Sequence, residues 1–170
     1  VYDRIVYDTS HVSFLGAGYD KLVMVQSFSK TFAMTGWRIG YLLSPDEGLM
    51  NELTKMQYYV TACTNDAMQY AVLEALEKDS DYPEKMCAEF KERRDLICER
   101  LNAIPGVTCH IPTGAFYVFP KVEIPGMTSE EIALKLLEGG VLCSPGTAFG
   151  EAGEGHLRFA YTIGREDISR

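Results

Sequence analysis

The chain has 170 residues, 46% of them hydrophobic and 24% charged, enough to bury a core and to form one or two small domains. A formal net charge of −8 leaves no basic footprint for nucleic acid or an anionic membrane surface. No apolar run approaches the ~18 to 20 residues of a membrane span, and no signal-peptide pattern opens the sequence, so the expected location is the cytoplasm.

The opening VYDRIVYD reads as the middle of a strand, and the closing REDISR as the start of a helix, so the chain is expected to be a piece of a longer protein. KLVMVQSFS (21–29) is a continuous apolar run ending in small polar residues, the pattern of a buried parallel strand that delivers a loop at its C-terminal end. WRIGYLLS (37–44) reads as the next strand. In SPDE, Ser44 is the expected N-cap, with Pro45 at the first helical position and Glu47 closing a capping box, and a helix follows over about 46–60. Met68, Ala71, Val72, Ala75 and Leu76 mark a second helix starting near Thr64. Met86, Phe90, Ile97 and Leu101 mark a third and longer one, with Lys91, Glu92 and Arg100 on its other face.

IPGV (104–107) ends that helix, and the domain boundary is expected there, with the long helix as a bridge. TCHIPTGAFYVFPKV (108–122) is strand-like with a glycine break, and TSEEIALKLLEGG (128–140) is a capped amphipathic helix ending in glycine. VLCSPGTAFG (141–150) is a loop-ended strand and HLRFAYTI (156–163) a clean one, so residues 105–170 form a small α/β domain. Five scattered cysteines without a C-x-x-C pair suggest neither a disulfide framework nor a zinc site and read as small buried hydrophobes. His11, His110 and His156 share no metal-like spacing, so no metal is expected.

The chemistry concentrates in SFSKTFAMTGWRIGY (27–41), where Lys30 and Arg38 stand among apolar and small residues. Desolvating an ammonium costs several kcal/mol, and burial lowers its pKa toward a neutral, nucleophilic amine that condenses with an aldehyde. A phosphorylated aldehyde would also need hydroxyls and a permanent cation, which Ser27, Ser29 and Arg38 supply. On composition alone, S-x-S-K is more often a solvated loop end with a surface lysine.

The whole segment, S-x-S-K followed by G-W-R-x-G, resembles the cofactor-lysine segment of the class I aminotransferases, the aspartate-aminotransferase-like branch of the fold-type I pyridoxal-phosphate enzymes. That resemblance implies an α/β fold in which 1–104 is the C-terminal part of the large cofactor-binding domain, including the bridging helix, and 105–170 the small C-terminal domain. It makes Lys30 the residue that holds pyridoxal 5'-phosphate as a Schiff base and moves the substrate α-proton. Ser27 and Arg38 become phosphate ligands, Gly36 a turn glycine, and Ser29 a support of the loop. VYDRIVYD resembles the segment whose tyrosine reaches the cofactor's phenolic oxygen, which points to Tyr2, while Asp3 and Asp8 are out of register with the family's pyridinium-binding aspartate.

HLRFAYT resembles the strand whose arginine grips the substrate carboxylate, giving that role to Arg158, since a planar guanidinium can hold a carboxylate through two parallel hydrogen bonds. PTGAFYVFP resembles the family's small-domain segment whose glycine and aromatics come close to the substrate, which points to Gly114, Phe116 and Tyr117, although core packing accounts for the two aromatics equally well, and SPGTAFG resembles the loop at the site's mouth, with Phe149 on it. The expected reaction is amino-group transfer between an L-amino acid and a 2-keto acid in a homodimer, with this piece alone inactive or nearly so. Another pyridoxal-phosphate activity such as a C–S lyase, or a noncatalytic domain of the same fold, is the alternative.

Overall fold

A computed structural model describes residues 1–78 and 81–170 and divides them into two compact units. The first comprises Val1–Val6 and Ser10–Lys85, and the second Tyr7–Thr9 and Met86–Arg170. Among the described residues, no helix is long and apolar enough to cross a membrane.

In the first unit, strand β1 (Met24–Ser27) runs antiparallel to β2 (Gly40–Leu43), in a register that sets Ser27 opposite Gly40. Strand β1 therefore corrects one expectation, because its partner is antiparallel and its residues are not fully buried, Val25 being 69% exposed. The physical reason lies in the connection. A parallel return needs a crossover that carries the chain over the sheet, whereas here a four-residue helix α1 (Phe28–Thr31) and a 3₁₀ turn (Thr35–Trp37) reverse it directly. Phe28, Ile39 and Val72 form the local core, with Phe32, Met34 and Met68 packed against it, so the apolar positions of the lysine segment face α3 (Asp66–Glu77).

Helix α2 (Glu47–Thr61) starts two residues later than a Ser44 cap requires. Asp46 is the N-cap, accepting from the Leu49 N–H at 2.9 Å, while Ser44 Oγ only accepts from the Asp46 N–H at 3.2 Å in the preceding turn. A carboxylate at this position meets both the unpaired amides and the positive end of the helix dipole, and so displaces serine from the role. Helix α3 is capped by Asn65.

Helix α4 (Tyr82–Asn102) begins in the first unit and contributes everything from Met86 onward to the second. There Phe90 packs at 5.4 Å from Phe116 and 6.3 Å from Tyr161. The strands are short: β3 (Val107–Thr108) pairs with β5 (Lys121–Val122), and β7 (Leu157–Ala160) lies between β4 (Tyr117–Val118) and β6 (Ser144–Pro145), all antiparallel. Helix α5 (Ser129–Glu138) starts with the expected capping box, Thr128 with Glu131, and buries Ile132 and Ala133 against Leu157. The backbones of Gly146 and Gly153 pass so closely that a Cβ on either would strike the other's carbonyl oxygen. A short helix α6 (Arg165–Ile168) follows, its Arg165 paired with Glu89 and Glu92 of α4.

The two candidate caps of α2 are separable by denaturant unfolding. Asp46→Ala is expected to lower stability by about 1 kcal/mol and Ser44→Ala by no more than about 0.5, and the reverse order would return the cap to Ser44.

Candidate active site

Ser27 ends β1 and caps α1, which turns the lysine segment into a rigid frame. Its Oγ accepts from the Ser29 N–H at 3.1 Å and donates to Ser29 Oγ at 2.8 Å. Thr35 Oγ1 donates to the Ser29 carbonyl at 2.9 Å, and the Phe28 N–H to the Ile39 carbonyl at 3.3 Å, so both ends of the turn are pinned to the serine pair. Lys30 stands half-buried on α1. Its neighbour Thr31 donates to Asp3 Oδ1 at 3.3 Å, which holds the segment carrying Tyr2 against the same helix.

Arg38 sits in the left-handed region (φ 53, ψ 51), and its Nη1 donates to the Thr35 carbonyl at 2.9 Å. A non-glycine residue in that conformation costs on the order of 1 kcal/mol, a strain characteristic of ligand sites. Ala33, at φ 53, carries the same strain five residues earlier.

The glycine that this frame requires is not Gly36. A Cβ at Gly36 would meet nothing within 4 Å, whereas one at Gly40 would strike the Gln26 carbonyl oxygen and lie 3.3 Å from Ser27 Cα. Close backbone approach at Gly40 sets Arg38 beside the end of β1, and the sequence reading missed it because Gly40 looks like one more strand residue. Ser27, Ser29 and Arg38 line one open cleft of about 610 Å³, closed on another side by Leu53, Thr54 and Tyr58 of α2. Two hydroxyls and a permanent cation suit a phosphate-sized anion. Lys30 stands outside that lining, on the helix that Ser27 caps.

The second unit holds the other predicted residues. Arg158, on β7, lies over the rings of Phe149 (4.4 Å) and Tyr117 (4.7 Å), with Nη2 3.5 Å from Ser144 Oγ. Among the described residues no carboxylate pairs with Arg158. Phe116 is buried in the core against Phe90, whereas Tyr117 is half-buried with Arg158 over its ring, so the two aromatics separate in their surroundings. Gly114 precedes Ala115, whose backbone is left-handed (φ 61).

What holds that bend escaped the sequence reading. The hydroxyls of Tyr7 and Tyr161 both donate to the Ala115 carbonyl, the latter at 3.0 Å, and the Tyr7 N–H donates to the Thr113 carbonyl at 2.8 Å. Arg94, only 4% exposed, lies 4.7 Å over the Tyr7 ring and donates to Asp8 (3.1 Å), Asp95 (2.8 Å) and the Pro112 carbonyl (3.1 Å). Asp8 is thus the partner of a buried arginine. Burial pushes the Tyr7 phenol up to about 12, and burial together with the bond to Tyr7 raises Tyr161 as well.

The model of the family described as aminotransferase class I and II matches residues 1–170. The chain belongs to that family. A probable aspartate aminotransferase of Methanocaldococcus jannaschii is 45% identical over 100% of this chain and 46% of its own length, and an aspartate aminotransferase of Pyrococcus horikoshii is 39% identical over 98% of this chain and 44% of its own. Among solved structures, the aspartate aminotransferase from Thermus thermophilus with maleate superposes with a TM-score of 0.92 at 32% identity, covering 99% of this chain and 44% of that one. The fold is therefore that of the fold-type I enzymes, and the chain spans less than half the length of these relatives.

The tyrosine pair predicts an alkaline limit to stability. Because Tyr7 is raised on folding from 10.0 to about 12, its contribution is complete below pH 10 and is lost as pH rises toward 12, where the unfolded chain ionises before the folded one. Denaturant midpoints followed across that range are expected to fall, and to fall less steeply in Tyr7→Phe.

Proposed function

We propose that the protein carrying this chain is an aminotransferase that moves an amino group between an L-amino acid and a 2-keto acid with pyridoxal 5'-phosphate as cofactor. The observation that carries the proposal is the cleft in which Ser27, Ser29 and Arg38 converge beside the helix of Lys30. That donor set fits the cofactor's phosphate, because hydroxyls and a guanidinium bind a dianion without needing to change protonation state. When bound, pyridoxal phosphate supplies the electron sink that lets an amino acid's α-carbon lose its proton.

The chain's own residues do the rest. Ser27 and Arg38 grip the phosphate, with Ser29 fixing the position of Ser27. Lys30 Nζ holds the cofactor and serves as the base that takes and returns the α-proton. Tyr2 approaches the cofactor's phenolic oxygen. Arg158 binds the substrate carboxylate, and Gly114 and Tyr117 border it. Phe116 acts through packing. The division into a large-domain portion, 1–104, and a small domain, 105–170, belongs to the same proposal, as does a cytoplasmic location. The relatives' names include aspartate, aromatic-amino-acid and alanine aminotransferases, so the proposal concerns the reaction class.

A homodimer completes the reading. Tyr59 (86% exposed), Val60 (75%) and Tyr70 (74%) leave the first unit with apolar surface that association would cover. In sedimentation, self-association is expected, and a monomer at all concentrations would refute it.

The chemistry is tested by incubating the protein with pyridoxal phosphate, reducing with borohydride, and mapping the label. Expected is a single label on Lys30, and a label spread over surface lysines would contradict the proposal. Turnover is expected to require a keto acid, which distinguishes transfer from lyase chemistry. Arg158→Ala is expected to raise the amino-acid KM on the order of 100-fold with a smaller change in kcat, as for removal of one partner of a hydrogen-bonded charge pair.

A further inference from the structure

Outside the candidate site, two thiols stand apart from the other cysteines. Cys98 on α4 and Cys109 just after β3 are both buried, 2% and 5% exposed, and the Cys109 thiol points at the Cys98 sulfur at 3.8 Å. Neither is disulfide-bonded. The backbone around Cys109 is held in place, because the Asn102 side chain accepts from the Cys109 N–H at 2.8 Å and donates to its carbonyl at 2.9 Å. Asn102 and Cys98 lie one turn apart on the same helix, so the amide clamp keeps the Cys109 backbone beside the turn that carries Cys98.

We infer that Cys98 and Cys109 form a modification site, at which a peroxide joins them in an intramolecular disulfide stapling α4 to the chain after β3. The sulfurs need to approach by less than about 2 Å to reach bonding distance. The hydrogen bond from Cys109 lowers the Cys98 thiol, even against desolvation, and nearby Arg94 adds to the effect, while Cys109 is raised. Cys98 is therefore the sulfur that reacts first, since the thiolate is the nucleophile.

In the first step the Cys98 thiol loses its proton, its thiolate attacks a peroxide oxygen, the O–O bond breaks, and the departing hydroxide takes up that proton and leaves as water, with a sulfenic acid on Cys98. In the second, Cys109 gives up its proton and attacks the Cys98 sulfur, the S–O bond breaks, and a second water leaves. Two thiols and one hydrogen peroxide thus give one disulfide and two waters. Exposed Cys63 serves as an internal comparison.

The experiment oxidises the native protein with hydrogen peroxide, blocks remaining thiols after unfolding, and digests with trypsin. Cleavage after Arg100 separates residues 95–100 from 101–121, so a native disulfide appears as these two peptides joined, two hydrogens lighter than their sum, and released by reductant. Expected as well is a sulfenic acid at Cys98 in Cys109→Ser, trapped when the peroxide-treated protein is unfolded into dimedone. Recovery of both peptides unlinked, at peroxide doses that oxidise Cys63, would overturn the inference. So would a link that forms only when oxidation is carried out in denaturant.

Discussion

The pairing of Ser27 with Gly40 is the constraint on which the candidate site depends. Gly40 presses so close to the Gln26 carbonyl that any side chain would separate the two strands. Because they stay together, Arg38 is brought back to the end of β1, where Ser27 has already turned the chain into the helix of Lys30. Three hydrogen bonds centred on Ser29 and Thr35 then fix the loop, and the left-handed strain at Ala33 and Arg38 is held by this frame. The hydroxyls and the cation that meet in the cleft are thus placed by backbone geometry before any ligand arrives, the kind of preorganisation that makes an anion site effective.

The second unit prepares its cation differently. Arg158 is flanked by the faces of Tyr117 and Phe149, which attract a guanidinium without neutralising it. Among the described residues no carboxylate pairs with it, in contrast to Arg94, which is buried and fully engaged by Asp8, Asp95 and the Pro112 carbonyl, and this leaves Arg158 suited to the carboxylate-binding role proposed for it. Arg94 and the two tyrosine hydroxyls on Ala115 stabilise the bend that leads into Tyr117. A buried arginine left without those partners would be strongly destabilising, so this network is structural.

Much of this was legible in the sequence because long motifs carry their own geometry. The lysine segment, the Thr128 capping box and the apolar spacing of α3 to α5 each combine several residues whose meanings agree. What was illegible depends on contacts distant in sequence. Nothing local marks Gly40 as a close-approach glycine, because the carbonyl it avoids lies fourteen residues away. Tyr7 and Tyr161 are 154 residues apart and share one acceptor, and Asp8 acquires its meaning only from Arg94. The apolar run at 21–29 misled about strand direction for a related reason, since hydrophobicity gives burial while the return of the chain through α1 sets the pairing.

On this reading the Ser27–Ser29–Arg38 frame selects a phosphate. Equilibrium dialysis of the protein against pyridoxal phosphate and against pyridoxal, which lacks the phosphate, tests it most directly. Expected is at least about tenfold tighter retention of the phosphorylated form, the ratio that about 1.4 kcal/mol of charge-assisted hydrogen bonding provides, and loss of that ratio in Arg38→Ala. Equal retention of the two compounds, with Arg38→Ala indistinguishable from the native protein, would contradict it.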